Sequence, residues 1–280
     1  MLIVDELPEL NSGNYYDHDQ DYKYLSATYY NLFLRNEAEA IARIKDNWQP
    51  SYQNETPLLV GNYFHSYFES KEAHQAFIDS HPEIISTRGT TKGQLKRDYQ
   101  VADEMIKTVE SQPAITKLLN KAKEREVIVT GSIGGADWKG KIDALDINDG
   151  LFLDYKTNAD FRKKHWVNDE DGHGHWADFT EAFGYLNQLA IYRELLKQQY
   201  GKEFLPVIIA VTKTIPADVE LLAFHSDELD NHLEEIKSNT LHIKALLNGE
   251  LKPKFVDDGS EFSATHKVIT KPIFHEELIK

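Results

Sequence analysis

Apolar residues recur at helical spacing through four stretches of the first half of the chain: 25–45, 58–80, 94–111 and 114–124. Ser26 is a candidate N-cap for the first of these helices. Ser70 marks a break within the second, and Pro113 separates the third from the fourth. The period then changes. REVIVTGSI (125–133), KGKIDALDI (139–147) and LFLDYKT (151–157) are short, apolar and β-branched, and predict three antiparallel strands. The polar run 158–176 predicts a long loop. Residues 178–200 predict one amphipathic helix ended by Gly201. PVIIAVTKT (206–214) and VELLAFH (219–225) predict two more strands. Ser226 is expected to cap a helix that Gly249 stops. The order predicts one α/β domain over 1–280: a helical N-terminal part to about residue 123, a mixed-sheet core over about 124–250, and an irregular tail, 251–280.

Composition narrows the function classes. The net charge of −15 argues against a broad nucleic-acid coat protein. It does not exclude a nucleic-acid enzyme, which needs only a local basic path and bound cations. The absence of cysteine excludes disulfides, zinc ribbons and iron–sulfur clusters, and fits a cytoplasmic setting. The first ten residues are acidic and too short for a signal peptide, and no apolar run reaches the roughly 18 residues of a membrane span.

One feature conflicts with an ordinary core. Asp143, Asp154 and Lys156 lie inside apolar strand sequence. A two-residue turn at Asp149-Gly150 would set Asn148 opposite Leu151 and Asp143 opposite Lys156. Side chains alternate along a strand, so all three charges would share one face. Two carboxylates ~4 Å apart repel by ~4 kcal/mol at an effective dielectric near 20. A lysine offsets part of this, and Mg²⁺ or Mn²⁺, which prefer oxygen ligands, offsets more. The Tyr155 carbonyl could complete such a ligand set. The competing reading is a buried ion pair.

These residues resemble the PD-(D/E)XK nuclease core, with Asp143 as the first acid and Asp154-Tyr155-Lys156 as the (D/E)-x-K. The DxKT form is similar to that of RecE-type and RecB-type exonucleases. YLNQLAIYRELL resembles the Q-x-x-x-Y helix of RecB-type nucleases, through Gln188 and Tyr192. VGNYFHSYFE resembles their G-x-x-x-H helix, through Gly61 and His65. The likeness spans about Leu25 to Thr214.

The resemblance implies a restriction-endonuclease-like fold and a Mg²⁺- or Mn²⁺-dependent deoxyribonuclease. The metal would sit on His65, Asp143, Asp154 and Tyr155. Lys156, Gln188 and Tyr192 would act beside it. Glu126 would be the extra acid, with Glu124 as the alternative. The overall likeness is to phage-encoded exonucleases of the RecE and lambda-exonuclease type. These work on linear duplex ends as ring-shaped trimers or tetramers, with a single-strand annealing protein, in recombination. An endonuclease or flap nuclease of the same fold, or a non-cleaving DNA binder, are the rivals. Arg162, Lys163 and Lys164 follow the candidate catalytic strand and are candidate phosphate contacts. The basic loop carrying Arg88, Lys92, Lys96 and Arg97 is a second candidate, and Trp166 a candidate for stacking on an unpaired base. The acidic, His-containing run 169–175 tempts as a second metal site but reads as a flexible loop.

Overall fold

In the computed structural model, residues 8–51, 55–168 and 173–272 are described. Ser26 caps α1 (Ala27–Arg35), its hydroxyl accepting the Tyr29 N–H at 3.4 Å. The single helix expected to continue to residue 45 is in fact two. Asn36 adopts extended backbone and its side chain accepts the Glu39 N–H, which starts α2 (Glu37–Ile44). An asparagine offers the backbone a competing local partner, and here it ends one helix and caps the next. α3 (Glu55–Glu69) and α4 (Lys71–Ser80) are divided at Ser70, whose hydroxyl accepts the Ala73 N–H. α5 (Gln100–Glu110) is followed by α6 (Pro113–Lys121), with Pro113 in the first turn, where its missing N–H costs nothing.

A five-stranded mixed sheet follows. β1 (Glu124–Ile133), β2 (Ala136–Asp146) and β3 (Leu151–Asn158) run antiparallel in sequence order. The expected long loop is partly ordered as a hairpin of β4 (His165–Asn168) and β5 (Gly174–Ala177), with Trp166 opposite Trp176. Of the acidic run considered as a metal site, 169–172 lie outside the described residues. The helix expected over 178–200 is also two, α7 (Phe179–Ala182) and α8 (Tyr185–Tyr200). Gly184 between them has φ +68°, and a Cβ there would lie 2.3 Å from the Asn31 side chain, which donates to the Gly184 carbonyl. Only glycine meets both demands cheaply. β6 (Leu205–Thr212) then pairs parallel with β3, and β7 (Val219–Ala223) antiparallel with β6, giving the order β1-β2-β3-β6-β7.

α9 (Ser226–Leu247) begins one residue earlier than expected, so Ser226 is its first residue and not its cap. The expected irregular tail carries α10 (Glu261–His266), capped by Ser260. No helix among the described residues is long and apolar enough to cross a membrane.

The sheet is covered on both faces. Trp138, Ile142, Leu145 and Phe152 pack with α1, α2, α8 and α9. Ala144, Leu153, Tyr155 and Ile209 pack with α3, α5 and α6. The N-terminal helices thus contribute to both cores.

Candidate active site

The β2–β3 register differs from the expected one. Asp146 pairs with Leu151, Leu145 with Phe152 and Ala144 with Leu153. The connection is therefore four residues, 147–150, and not the two-residue Asp149-Gly150 turn. Asp149 folds back to donate its N–H to the Asp146 carboxylate at 3.0 Å, which favours the wider turn. The shift is two positions, an even number, so by itself it changes partners without changing faces. Counted onward, Asp143 falls opposite Asp154 rather than Lys156. The paired ladder stops before that point. Instead the Asp143 Oδ2 accepts the Tyr155 N–H at 2.6 Å, a carboxylate standing in for a strand carbonyl. N–H and C=O of a strand residue point to the same side. The Tyr155 carbonyl is thus directed toward Asp143 and away from β6.

A second distortion aims the acids. β1 and β2 pair continuously except at Glu126 and Asp143, which the register sets opposite each other. Glu126 has φ +51°. For a non-glycine residue this conformation costs about 1–2 kcal/mol, and such strain concentrates at functional sites. The two strands reverse their facing there. Arg125 donates to carbonyls of Phe68 and Leu119 on the α3/α6 side, whereas Val127 packs in the opposite core. Ala144 and Ile142 divide the same way across Asp143. At this reversal the Glu126 and Asp143 carboxylates come together, and Asp143 reaches across to β3.

His65 arrives from α3. Gly61, one turn earlier on the same helix, lies so close to β3 that a Cβ would sit 3.2 Å from the Thr157 hydroxyl. This close approach brings His65 Nδ1 to 3.5 Å from Asp143 Oδ1. Ligand atoms of His65, Glu126 and Asp143 lie within 4.8 Å of one another. Of the two glutamates expected as the extra acid, Glu126 is the one the fold brings to His65. Glu124, its alternative, is exposed and pairs with Leu145 instead. In this state Glu126 is ion-paired to Lys141, whose ammonium also lies 4.6 Å from the Tyr16 ring.

Asp154 forms the other half. Its Oδ2 is buried and ion-paired with Lys156 Nζ at 2.6 Å. Its Oδ1 accepts from Gln188 Nε2 at 3.2 Å. Lys156 Nζ donates to Gln188 Oε1 at 2.8 Å and lies 4.5 Å from the Tyr185 ring. Tyr192 lies one turn further along the same helix, beside Gln188. The Tyr192 ring is pressed on Gly140, where any Cβ would come within 2.8 Å. So Gln188 ties Asp154 and Lys156 together, and Tyr192 braces Gln188 from the next turn of α8. Tyr185, three residues before Gln188 on the same helix face, is a site residue that motif reading missed; the i, i+3 spacing was the available signal. Lys141 and Gly140 were missed too, and no local signal marks them.

The ionisation pattern separates the groups. Burial opposes charge on His65, but the Asp143 carboxylate outweighs it and raises the imidazole pKa. Burial would raise Asp143, yet the neighbouring imidazolium and Lys156 hold it below the usual carboxylate range. Asp154 is shifted upward, chiefly by burial, with Lys156 offsetting part. Burial likewise opposes charge on Lys156, but Asp154 and Asp143 raise its pKa overall, so it is a full ammonium at neutral pH. A lysine in that state orients and donates; it does not abstract protons.

The donor set fits a hard divalent cation: His65, Glu126 and Asp143 offer one imidazole and two carboxylates within 4.8 Å of one another, with the Tyr155 carbonyl directed toward Asp143, while Asp154 stands beside that cluster, ion-paired to Lys156. The expected phosphate contacts fare unevenly. Arg162 is exposed and ion-paired with Asp218 and Glu220. Lys163 lines a cavity of about 350 Å³ beyond Lys156, and Lys164 is exposed. Arg88, Lys92, Lys96 and Arg97 are all exposed.

Residues 26–260 match the family described as "PDDEXK-like domain of unknown function (DUF3799)". A crystal structure described as a "putative exonuclease" from Eubacterium rectale is 28% identical, with a TM-score of 0.81, covering 98% of this chain and 99% of that one. A second, described as SSO0001, is 14% identical over 67% of this chain and 87% of that one, at a TM-score of 0.25, too distant to carry weight. No curated protein matches the chain significantly.

Proposed function

This chain belongs to the PDDEXK-like family, a nuclease fold, and from that premise we propose that it is a divalent-metal-dependent exonuclease hydrolysing DNA phosphodiesters from duplex ends. The observation that carries the reading is the convergence of His65, Glu126 and Asp143 beside the Asp154–Lys156–Gln188 cluster. The relative described as an exonuclease supports the mode of attack.

His65, Glu126, Asp143, Asp154 and the Tyr155 carbonyl would hold the cation. When bound, Mg²⁺ or Mn²⁺ would supply Lewis-acid charge at the scissile phosphate and acidify the attacking water. Lys156 donates a proton-bearing ammonium that orients this water and meets charge developing on the phosphate. Gln188 fixes the ammonium from one side while Asp154 fixes it from the other. Tyr185 covers the cluster and excludes bulk water from it.

The resemblance to RecE- and lambda-type enzymes extends the proposal to one nuclease domain, a ring trimer or tetramer, a cytoplasmic role in phage-type recombination and a single-strand annealing partner. An acidic outer surface is compatible with DNA enclosed in such a ring.

Digestion of end-labelled linear duplex and closed circles, with Mg²⁺ and with chelator, tests this. Linear DNA should be degraded only with metal while circles persist. Cutting of circles would identify an endonuclease, and intact DNA under both Mg²⁺ and Mn²⁺ a non-cleaving binder.

The raised His65 pKa makes a further prediction. The imidazolium must lose its proton before it can ligate, so Mn²⁺ affinity should weaken as pH falls through that pKa. His65→Ala should lower affinity roughly 10–100-fold and flatten the pH dependence. Calorimetric Mn²⁺ titrations across pH 5 to 8, the range of histidine titration, would read both.

A further inference from the structure

Beyond Lys156, β3 runs on through Thr157 and Asn158 into a cavity of about 350 Å³. That volume lies at the small end of the range for ligand clefts. We propose that it is a subsite for one unpaired nucleobase of the DNA strand, held next to the phosphate being cut. The inference rests on the nuclease reading of the neighbouring site, but its test does not.

Three features set the ligand class. First, the walls offer ring faces: Phe183 lies 4.8 Å from the His165 ring and 5.9 Å from Tyr185, and is itself 45% exposed. Second, His165 Nε2 is buried and has no hydrogen-bond partner among the described residues. A buried polar atom left open beside stacking surfaces suits the edge of a heterocycle, which carries both donors and acceptors. Third, Lys163 lines the same cavity and supplies a cation for the attached phosphate, while the Asp160 carboxylate in the wall is already engaged by the Arg162 N–H at 2.9 Å.

Position identifies the occupant as part of the substrate. Tyr185 lines the cavity and also lies 4.5 Å from Lys156 Nζ, so one ring separates the two sites. Asn158 is two residues past Lys156, about 6–7 Å along the strand. A space of this size takes one planar base and not a base pair. A strand seated there is unpaired at that nucleotide, whether frayed from an end or already single.

The test uses the full chain and single-stranded oligonucleotides carrying 2-aminopurine at successive terminal positions, titrated in chelator at low ionic strength. Stacking should quench the fluorophore at one position, and an abasic residue there should weaken binding about tenfold, as loss of one base–aromatic stack does. Phe183→Ala and His165→Ala should each abolish that position-specific quench. Phe183→Leu, which keeps the apolar volume, should abolish it too and guards against misfolding of the alanine variant. No saturable quench in the wild type, or a quench unchanged in the variants, overturns the subsite. Failure of the nuclease reading would appear separately, as intact DNA in the digestion with Mg²⁺.

Discussion

Lys156→Ala is expected to slow hydrolysis of linear duplex about a thousandfold, measured on end-labelled DNA under saturating Mg²⁺. Removing one preorganised donor at a developing charge typically costs two to three orders of magnitude. Lys156→Arg should not rescue, because a planar guanidinium cannot occupy the point between Asp154 Oδ2 at 2.6 Å and Gln188 Oε1 at 2.8 Å. The same substitution distinguishes function from mere charge balance. If Lys156 only neutralised Asp154, Lys156→Arg would keep the charge and with it most of the activity; here it should keep the charge and lose the activity. Stability should respond in its own way. Without the ammonium, Asp154 is a buried carboxylate with no cation, so the apoprotein should lose stability and Mn²⁺ should raise its melting temperature more than it does in the wild type. Activity within tenfold of wild type would remove Lys156 from the mechanism.

Trp138→Ala should be among the most destabilising single changes in the chain. The indole is fully buried on β2, five residues before Asp143. Its Nε1 donates to the Ile133 carbonyl at 3.0 Å, and its ring lies 5.9 Å from Tyr30 of α1. It is one of the contacts through which α1 docks on the strand that carries Asp143. Truncation removes the transfer energy of the ring, leaves a cavity and frees a buried carbonyl, together about 3–5 kcal/mol. In a chain of this size that lowers the melting temperature by roughly 10 °C, readable by calorimetry or urea unfolding. A loss under about 1 kcal/mol would mean that the ring is not packed as described.

Much of the site was legible because local rules governed it. Alternation along β3 put Asp154 and Lys156 on one face, whereas Asp143 joins them where β2 reverses its facing, which alternation does not foresee. Helical spacing put Gln188 and Tyr192 together, and the Gly61–His65 turn likewise. Ser26 and Ser70 acted as caps or breaks at the places their side chains favour. Each of these depends on chemistry within about four residues.

What the sequence by itself determined, then, is the order of helices and strands, the shared face of Asp154 and Lys156 and the choice of Asp143 and Asp154 as the hairpin's candidate acids. The tertiary structure decided the rest. It chose the four-residue turn, which Asp149 and Asp146 close together. It chose Glu126 over Glu124 by forcing a left-handed residue at the point where β1 and β2 reverse their facing. It split the helix expected over 178–200 at Gly184, against Asn31 at 153 positions' remove, and set Arg162 in ion pairs with Asp218 and Glu220. The physical reason is shared. Period and capping act between near neighbours, whereas strand partners, close approaches and ion pairs join residues that meet only when the whole chain has packed.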